Sequence, residues 1–506
     1  MNGSPKTIAR WLARLDALWL LVPLGVYAFL AFAGDFHPDA DSYYHMGCAR
    51  LYAAHGWISS FPWMKYTVLA DSFPNVHFLQ HVALVPLALL FDPVTALKLA
   101  VVILPFALVA SVYLVLRRWS VALPGLWVGL VALASPVQLT IAVSIKGGAL
   151  FAILLVWLFD ALRARAGRRA FVLSWLTVYA YVGAPLLLAI LLAHVAVRRL
   201  WDREWDLKPC LWVVGGLAAG LVVNPFWPGH WSQIGAELYN AVVTPSQLAP
   251  GDFRGTEWMS LTGRDLLRLT GFPIAAWTLL LVRQLARKER VESRDAFGAI
   301  LALAFLAAAV LSAKFLFQFF IATLVFLPAV AFAMRPWPRW CAPAAVALGL
   351  LVGGLSIHVA HRDLYEHEGG DAARLSRAPG PDDYRALGKW LPGRTKAGEV
   401  VLAPWDDFPG LFFFDTYNNY VVGMNTDFLL RRDEKAFNAY YYLYHGRVRD
   451  PENLLPAFFG AARLIVVRTR PRNAGEQQLT GRLAGNKRFR ELASPSAIFR
   501  VFELVP

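Results

Sequence analysis

Gly34-Asp35-Phe36-His37-Pro38-Asp39-Ala40-Asp41-Ser42-Tyr43-Tyr44-His45 follows directly on an apolar run over residues 15–34. A run of about 20 apolar residues is long enough to cross a bilayer. Lys6, Arg10 and Arg14 precede it, and basic residues stay on the cytoplasmic side. At this length the run reads as a retained anchor rather than a signal peptide, and the acidic, aromatic segment after it falls on the outer face. There Asp39 and Asp41 stand beside imidazole and phenol groups, a combination suited to holding a divalent cation or to taking a proton from an acceptor. A solvated loop after a helix end also contains such residues.

The rest of the 506-residue chain is consistent with a membrane setting. Hydrophobic residues make up 57% and charged residues only 17%, against roughly a quarter charged in soluble domains. The net charge of +14 is gathered in short clusters between apolar runs, at Arg117 and Arg118, Arg163 to Arg169, Arg198 to Lys208, Arg283 to Arg294, and Arg335 with Arg339. One orientation, with the N-terminus inside, puts every cluster on the cytoplasmic side. It needs crossings near 15–34, 94–116, 122–143, 147–162, 209–228, 264–282, 295–312, 315–334 and 340–360. It also needs 170–197 to cross twice, broken at Tyr181-Val182-Gly183-Ala184-Pro185, for about eleven spans in all. The shorter apolar stretch 76–91 is expected to lie along the outer surface, because crossing there puts Arg117 and Arg118 outside. No zinc-finger, RNA-binding or basic-helix pattern accompanies the charge, which sets nucleic acid aside. Cys48, Cys210 and Cys341 are too scattered for a disulfide framework or a metal cluster.

The expected architecture is therefore a mainly α, polytopic helical bundle over 1–360, with a long first outer loop at 35–93, and a soluble extracytoplasmic α/β domain over 361–506. In the second part charge rises, and strand-like Val400-Val401-Leu402 and Leu464-Ile465-Val466-Val467 alternate with helical stretches. Ionisable groups at the membrane edge are costly and invite a functional reading, which singles out Lys146, Lys314 and, in 229–263, Glu257 among the groups expected on the outer face. Each lysine also suits a side chain snorkelling from a helix end, and Glu257 suits a plain loop carboxylate. His37, His45, His77 and His81 match no fixed metal-ligand spacing and read as interfacial groups or acceptor contacts.

Asp41-Ser42-Tyr43-Tyr44-His45-Met46 resembles the Asp-x-Tyr-Tyr-His-Leu segment in the first outer loop of oligosaccharyltransferase catalytic subunits, which belong to the GT-C glycosyltransferases. The many spans, long first loop and C-terminal domain are similar too. By this resemblance Asp41 carries the family's essential acidic role, with Asp39 as its neighbour, and His77-Phe78-Leu79-Gln80-His81 opens a membrane-parallel helix. Trp405-Asp406-Asp407-Phe408 is similar to the Trp-Trp-Asp-Tyr-Gly acceptor-recognition motif, with Pro404 and Pro409 as departures. Arg254-Gly255-Thr256-Glu257-Trp258 distantly resembles the family's mobile-loop Thr-x-x-Glu element. The family's second acidic motif is replaced here by Ser144-Ile145-Lys146-Gly147-Gly148.

The resemblance implies an inverting transferase using a polyprenyl-phosphate or polyprenyl-diphosphate sugar, in a bacterial inner (plasma) membrane, with a protein, lipid or glycan acceptor on the extracytoplasmic face. Lys146 and Lys314 are expected at the donor phosphate, Asp41 and Asp39 in catalysis, and Glu257, His45, Trp405 and Asp406 in acceptor or loop contacts. A divalent Mg²⁺ or Mn²⁺ on Asp41, Asp39 and Glu257, and direct neutralisation of phosphate by ammonium groups, remain alternative expectations. The rival classes are a lipid or glycan flippase or transporter, which calls for internal repeats and midspan charges absent from the sequence, and a membrane scaffold that displays the C-terminal domain.

Overall fold

The computed structural model describes residues 15–33, 40–242, 261–287, 292–334, 337–338, 340–365, 379–460, 462–471 and 473–505. Its first part is a helical bundle. Helix α1 is Ala17–Phe32; α2 (Ala40–His55) and α3 (Phe78–Leu90) belong to the long loop that follows it, and α4 (Pro93–Arg118) returns through the bundle. Then come α5 (Pro124–Ala132), α6 (Pro136–Ala142), α7 (Ala149–Arg163), α8 (Gly167–Ala180), α9 (Leu186–Asp202), α10 (Lys208–Val222) and α11 (Gly229–Val242). The last four are α12 (Gly263–Arg287), α13 (Ser293–Leu311), α14 (Leu316–Ala333) and α15 (Cys341–Tyr365).

Local sequence explains many of these ends. Asp92 caps α4 by accepting from the Val94 and Thr95 backbone N–H groups, with Pro93 at the first helical position. Ser135 caps α6 ahead of Pro136 in the same way. The Tyr181 to Pro185 segment separates α8 from α9, as its composition predicts. The expected span 122–143 is instead two helices, α5 and α6, bent by 93° at the Leu133 to Ser135 break. The bent pair still runs between opposite ends of the bundle. Asp16, just before α1, accepts from the backbone N–H groups of Gly125 and Leu126, and Ser42 in α2 accepts from Ile145 N–H beyond α6.

By length and apolarity five described helices suffice to cross a membrane, or six if the bent pair counts as one; α1, α3 and α10 are apolar but shorter. Large apolar side chains remain exposed along them, among them Leu211, Leu285, Leu311 and Leu351, which suits lipid rather than water. Several of the basic clusters expected on one side converge. Arg163, Arg165, Arg198, Arg203 and Arg294 line a single cavity of about 920 Å³, and Arg118 and Arg169 both pair with buried Asp160.

The second part is an α/β unit. Helix α16 (Pro381–Trp390) leads to β1 (Val400–Leu402), α17 (Phe408–Phe414) and β2 (Asn419–Tyr420). Next are α18 (Asp427–Leu430), α19 (Glu434–Tyr444), α20 (Pro451–Phe459), β3 (Leu464–Arg468), α21 (Ala474–Gly485), β4 (Phe489–Leu492) and β5 (Phe499–Leu504). The sheet order is β2-β1-β3-β5-β4, with β1 parallel to β2 and β3, and β5 antiparallel to β3 and β4.

This unit shares its core with the long loop that carries α2 and α3. Phe412 and Phe413 of α17 pack on Tyr44 and Tyr43 of α2, and Arg50 donates to the Phe413 carbonyl at 2.5 Å. Gly47 is required at that crossing, because a Cβ there lies 2.8 Å from the Phe412 ring. The loop also pairs with the sheet edge, where Tyr420 N–H donates to Trp63 C=O and Lys65 N–H to Tyr420 C=O, each at 2.8 Å. Helix α2 is thereby packed against the α/β unit.

Candidate active site

Asp41 lies in the first turn of α2, where the helix macrodipole favours a carboxylate. Lys146 Nζ donates to Asp41 Oδ2 at 3.0 Å, and both side chains are about one-third exposed. The turn that presents Lys146 is clamped from two sides. Ile145 N–H donates to Ser42 Oγ at 2.8 Å, while buried Gln80 donates to the Lys146 carbonyl at 2.9 Å and accepts from Leu150 N–H at 3.3 Å. Ammonium and carboxylate therefore meet through fixed backbone rather than through two flexible arms.

Three histidines back the pair. His45 Nδ1 and His81 Nε2 are 2.7 Å apart, and the His45 and His77 rings meet edge to face at 5.0 Å. His77 covers Gly147, where a Cβ would lie 2.5 Å from its Cε1. Burial pushes the Asp41 carboxyl up, but Lys146 and then His45 pull it back below its ordinary value. Burial, reinforced by His77, pushes His45 down to about 3. Burial likewise lowers His77 to about 4, with Lys314 adding to the effect, and it takes His81 well below its ordinary value. The cluster is thus neutral at physiological pH beside an ionised carboxylate and an ammonium.

Lys314 sits in a short 3₁₀ turn, Ala313–Phe315, that leads into α14. From that helix Phe317 approaches Gly148, at 3.2 Å from where a Cβ would be. Below Lys146 runs a narrow, mainly apolar cleft of about 50 Å³ lined by Leu104, Leu108, Ile141, Phe317, Phe320 and Leu324, among others. The Lys146 side chain thus borders an apolar cleft between bundle helices.

Asp39, His37 and Glu257 lie outside the described residues. Among the described residues no three His, Cys, Asp or Glu side chains are grouped to hold a metal ion. The positive charge that the structure places beside Asp41 is that of Lys146.

The structure places Trp405 and Asp406 in the β1–α17 connection. Arg468 there grips buried Asp407 through two bonds, at 2.9 and 2.6 Å, and reaches Asp406 at 3.4 Å, while Tyr384 OH donates to Asp407 at 2.8 Å. In this segment the second Asp anchors β1 to β3, and the half-buried Trp405 and Asp406 precede it.

Neither a family model nor a curated protein sequence matches the chain. Solved structures do. The chain is similar to the Archaeoglobus fulgidus oligosaccharyltransferase in its apo form, with a TM-score of 0.63 over 90% of this chain and 70% of that one, at 12% identity. It is similar to the same organism's oligosaccharyltransferase AglB in complex with an inhibitory peptide and a dolichol-phosphate, with a TM-score of 0.62, 12% identity and the same coverage. It is also similar to ArnT from Cupriavidus metallidurans bound to undecaprenyl phosphate, with a TM-score of 0.59 over 97% of each chain and 14% identity. The fold is that of the GT-C glycosyltransferases.

On this fold, the acidic loop residue Asp41 and Lys146 in the turn before α7, far apart in sequence, are in contact. Sequence reasoning named both but not the side chains that hold them there. Ser42, Asn75 and Gln80 are fully buried polar groups. Their only signal in the sequence is a polar residue amid an otherwise apolar or aromatic stretch.

Proposed function

We propose that this protein transfers a sugar from a polyprenyl-phosphate or polyprenyl-diphosphate donor to an acceptor at the extracytoplasmic membrane surface, with inversion. The Asp41–Lys146 pair, at 3.0 Å above the apolar cleft, carries this reading. The lipid chain runs from the cleft into the bilayer, and its phosphate sits by Lys146 and Lys314. Asp41 accepts the proton of the acceptor nucleophile, whose lone pair forms the new bond to the anomeric carbon as the carbon–oxygen bond to phosphate breaks on the opposite face. The electron pair leaves on the phosphate oxygen, where charge grows in the transition state and the two ammonium groups gain most. The histidines stay neutral and so do not compete with the lysines for phosphate or with the acceptor for Asp41. Acceptor contacts are assigned to Trp405, Asp406 and Glu257, and the convergence of the basic clusters around the opposite cavity supports the outward orientation of the site.

The solved structures with bound dolichol-phosphate and undecaprenyl phosphate support a lipid-phosphate donor of this kind. The test is turnover of a radiolabelled polyprenyl-phosphate sugar by purified protein in liposomes, together with mass spectrometry of copurifying lipids. Release of free polyprenyl phosphate that depends on both acceptor and Asp41 is expected. Movement of intact donor between leaflets without cleavage refutes the transferase reading in favour of a flippase.

A further inference from the structure

Behind Asp41 runs a line of buried neutral groups whose proton positions are set from one end. His77 N–H donates to Asn75 Oδ1 at 3.1 Å. This fixes the orientation of the amide and makes Asn75 Nδ2 the donor, both to Tyr52 OH and to His81 Nδ1, each at 2.8 Å. A neutral imidazole has one donor and one acceptor nitrogen, so His81 accepts at Nδ1 and carries its proton on Nε2. That proton is given to His45 Nδ1 at 2.7 Å, and His45 must in turn carry its own on Nε2. Asn75, His81 and His45 are all 3% exposed or less, so water does not reset the series.

His45 stands one helical turn after Asp41, on the same side of α2. Its Nε2 lies on the ring edge away from His81 and has no hydrogen-bond partner among the described residues. The charged and titratable groups facing the ring are Asp41, His77, His81 and Lys146. An N–H left open beside the reacting carboxylate is a preorganised donor.

We propose that His45 Nε2–H donates a hydrogen bond to the leaving phosphate oxygen of the lipid-linked donor, and that His81 and Asn75 are positioning residues that hold His45 in the tautomer able to do so. The inference rests on the transferase reading above. No proton is transferred. The neutral N–H adds to the two ammonium groups where charge develops, so its contribution falls on the chemical step rather than on donor affinity.

The two nitrogens of His45 are separable by substitution, because the Gln side-chain amide nitrogen reaches the position of Nε2 whereas that of Asn stops at Nδ1. His45→Asn is expected to lower kcat about 100-fold with KM changed less than about threefold, and His45→Gln to recover most of that loss. Histidine ¹⁵N spectra of the wild-type protein in detergent are expected to show His45 protonated at Nε2 and bare at Nδ1, a signature that a merely structural role does not require. His45→Asn with wild-type kcat, equal losses in Asn and Gln, or a proton on His45 Nδ1 each overturn the proposal. If the wild type transfers no sugar, the transferase reading itself has failed. If it transfers and His45→Asn is silent, only the role of His45 has.

Discussion

Gly147→Ala is the most stringent single-methyl test of the site. Gly147 has no positive φ, so alanine suits its backbone and the whole effect is steric. The added Cβ lies 2.5 Å from His77 Cε1, 2.9 Å from Nδ1 and 3.0 Å from Nε2. Ordinary contact begins near 3.4 Å, so ring and turn must separate by about 0.9 Å (3.4 − 2.5). The ring has little room to retreat, with His45 at 5.0 Å and Tyr181 at 5.6 Å between ring centres. Overpacking of this size costs about 1–3 kcal/mol. A shift of about 1 Å in the turn that carries Lys146 costs about 100-fold in rate. Turnover of labelled lipid-linked sugar is therefore expected to fall by about two orders of magnitude, while detergent-solubilised protein melts only a few degrees lower. Gly354→Ala is the control, since a Cβ there meets nothing within 4 Å. His77→Ala combined with Gly147→Ala is expected to be no slower than His77→Ala alone, because the clash needs both groups. Full activity of a stably folded Gly147→Ala protein refutes the packing of His77 on the lysine turn as a determinant of the site.

Asp41→Asn is expected to lower kcat by about 10²–10⁴ with donor binding retained, as measured by lipid copurification; unchanged turnover removes Asp41 from catalysis. The Asp41 carboxyl is held below its ordinary value, and His45 and His77 titrate at about 3 and about 4. The carboxylate is lost, and the imidazoles gain charge, only as pH falls through those low values, so kcat/KM is expected to be flat over about pH 5–8. Lys146→Met removes the main group lowering Asp41 and should move the acidic limb upward; a limb near 6.5 in the wild type contradicts this electrostatic picture. Arg468→Met strands the fully buried Asp407 carboxylate and is expected to cost about 3–5 kcal/mol, seen as a lower melting temperature and early proteolysis in the C-terminal unit. Cysteines replacing exposed Lys65 and Arg203 test topology, with labelling by an impermeant reagent from outside expected only at 65.

The sequence alone determined the features that depend on short stretches of chain. Apolar runs marked most bundle helices, Tyr181 to Pro185 marked the break between α8 and α9, and three of the basic clusters met at one cavity. Asp41, Lys146 and Lys314 stood out because a charge at a helix end is costly and visible in one dimension. Tertiary structure decided which of these charges meet. Asp41 and Lys146 are 105 positions apart, and no periodicity encodes their contact. It follows from Ser42 and Gln80 clamping one turn and from α5 and α6 folding at a right angle where a straight span was expected. The Trp405 segment shows the same limit. Its composition resembled a recognition motif, while packing committed Asp407 to Arg468 and the adjacent phenylalanines to α2. Histidine tautomers lie furthest from the sequence, because each is fixed by what the neighbouring ring donates. The series begins at the backbone N–H of His77, whose direction exists only once the loop has folded.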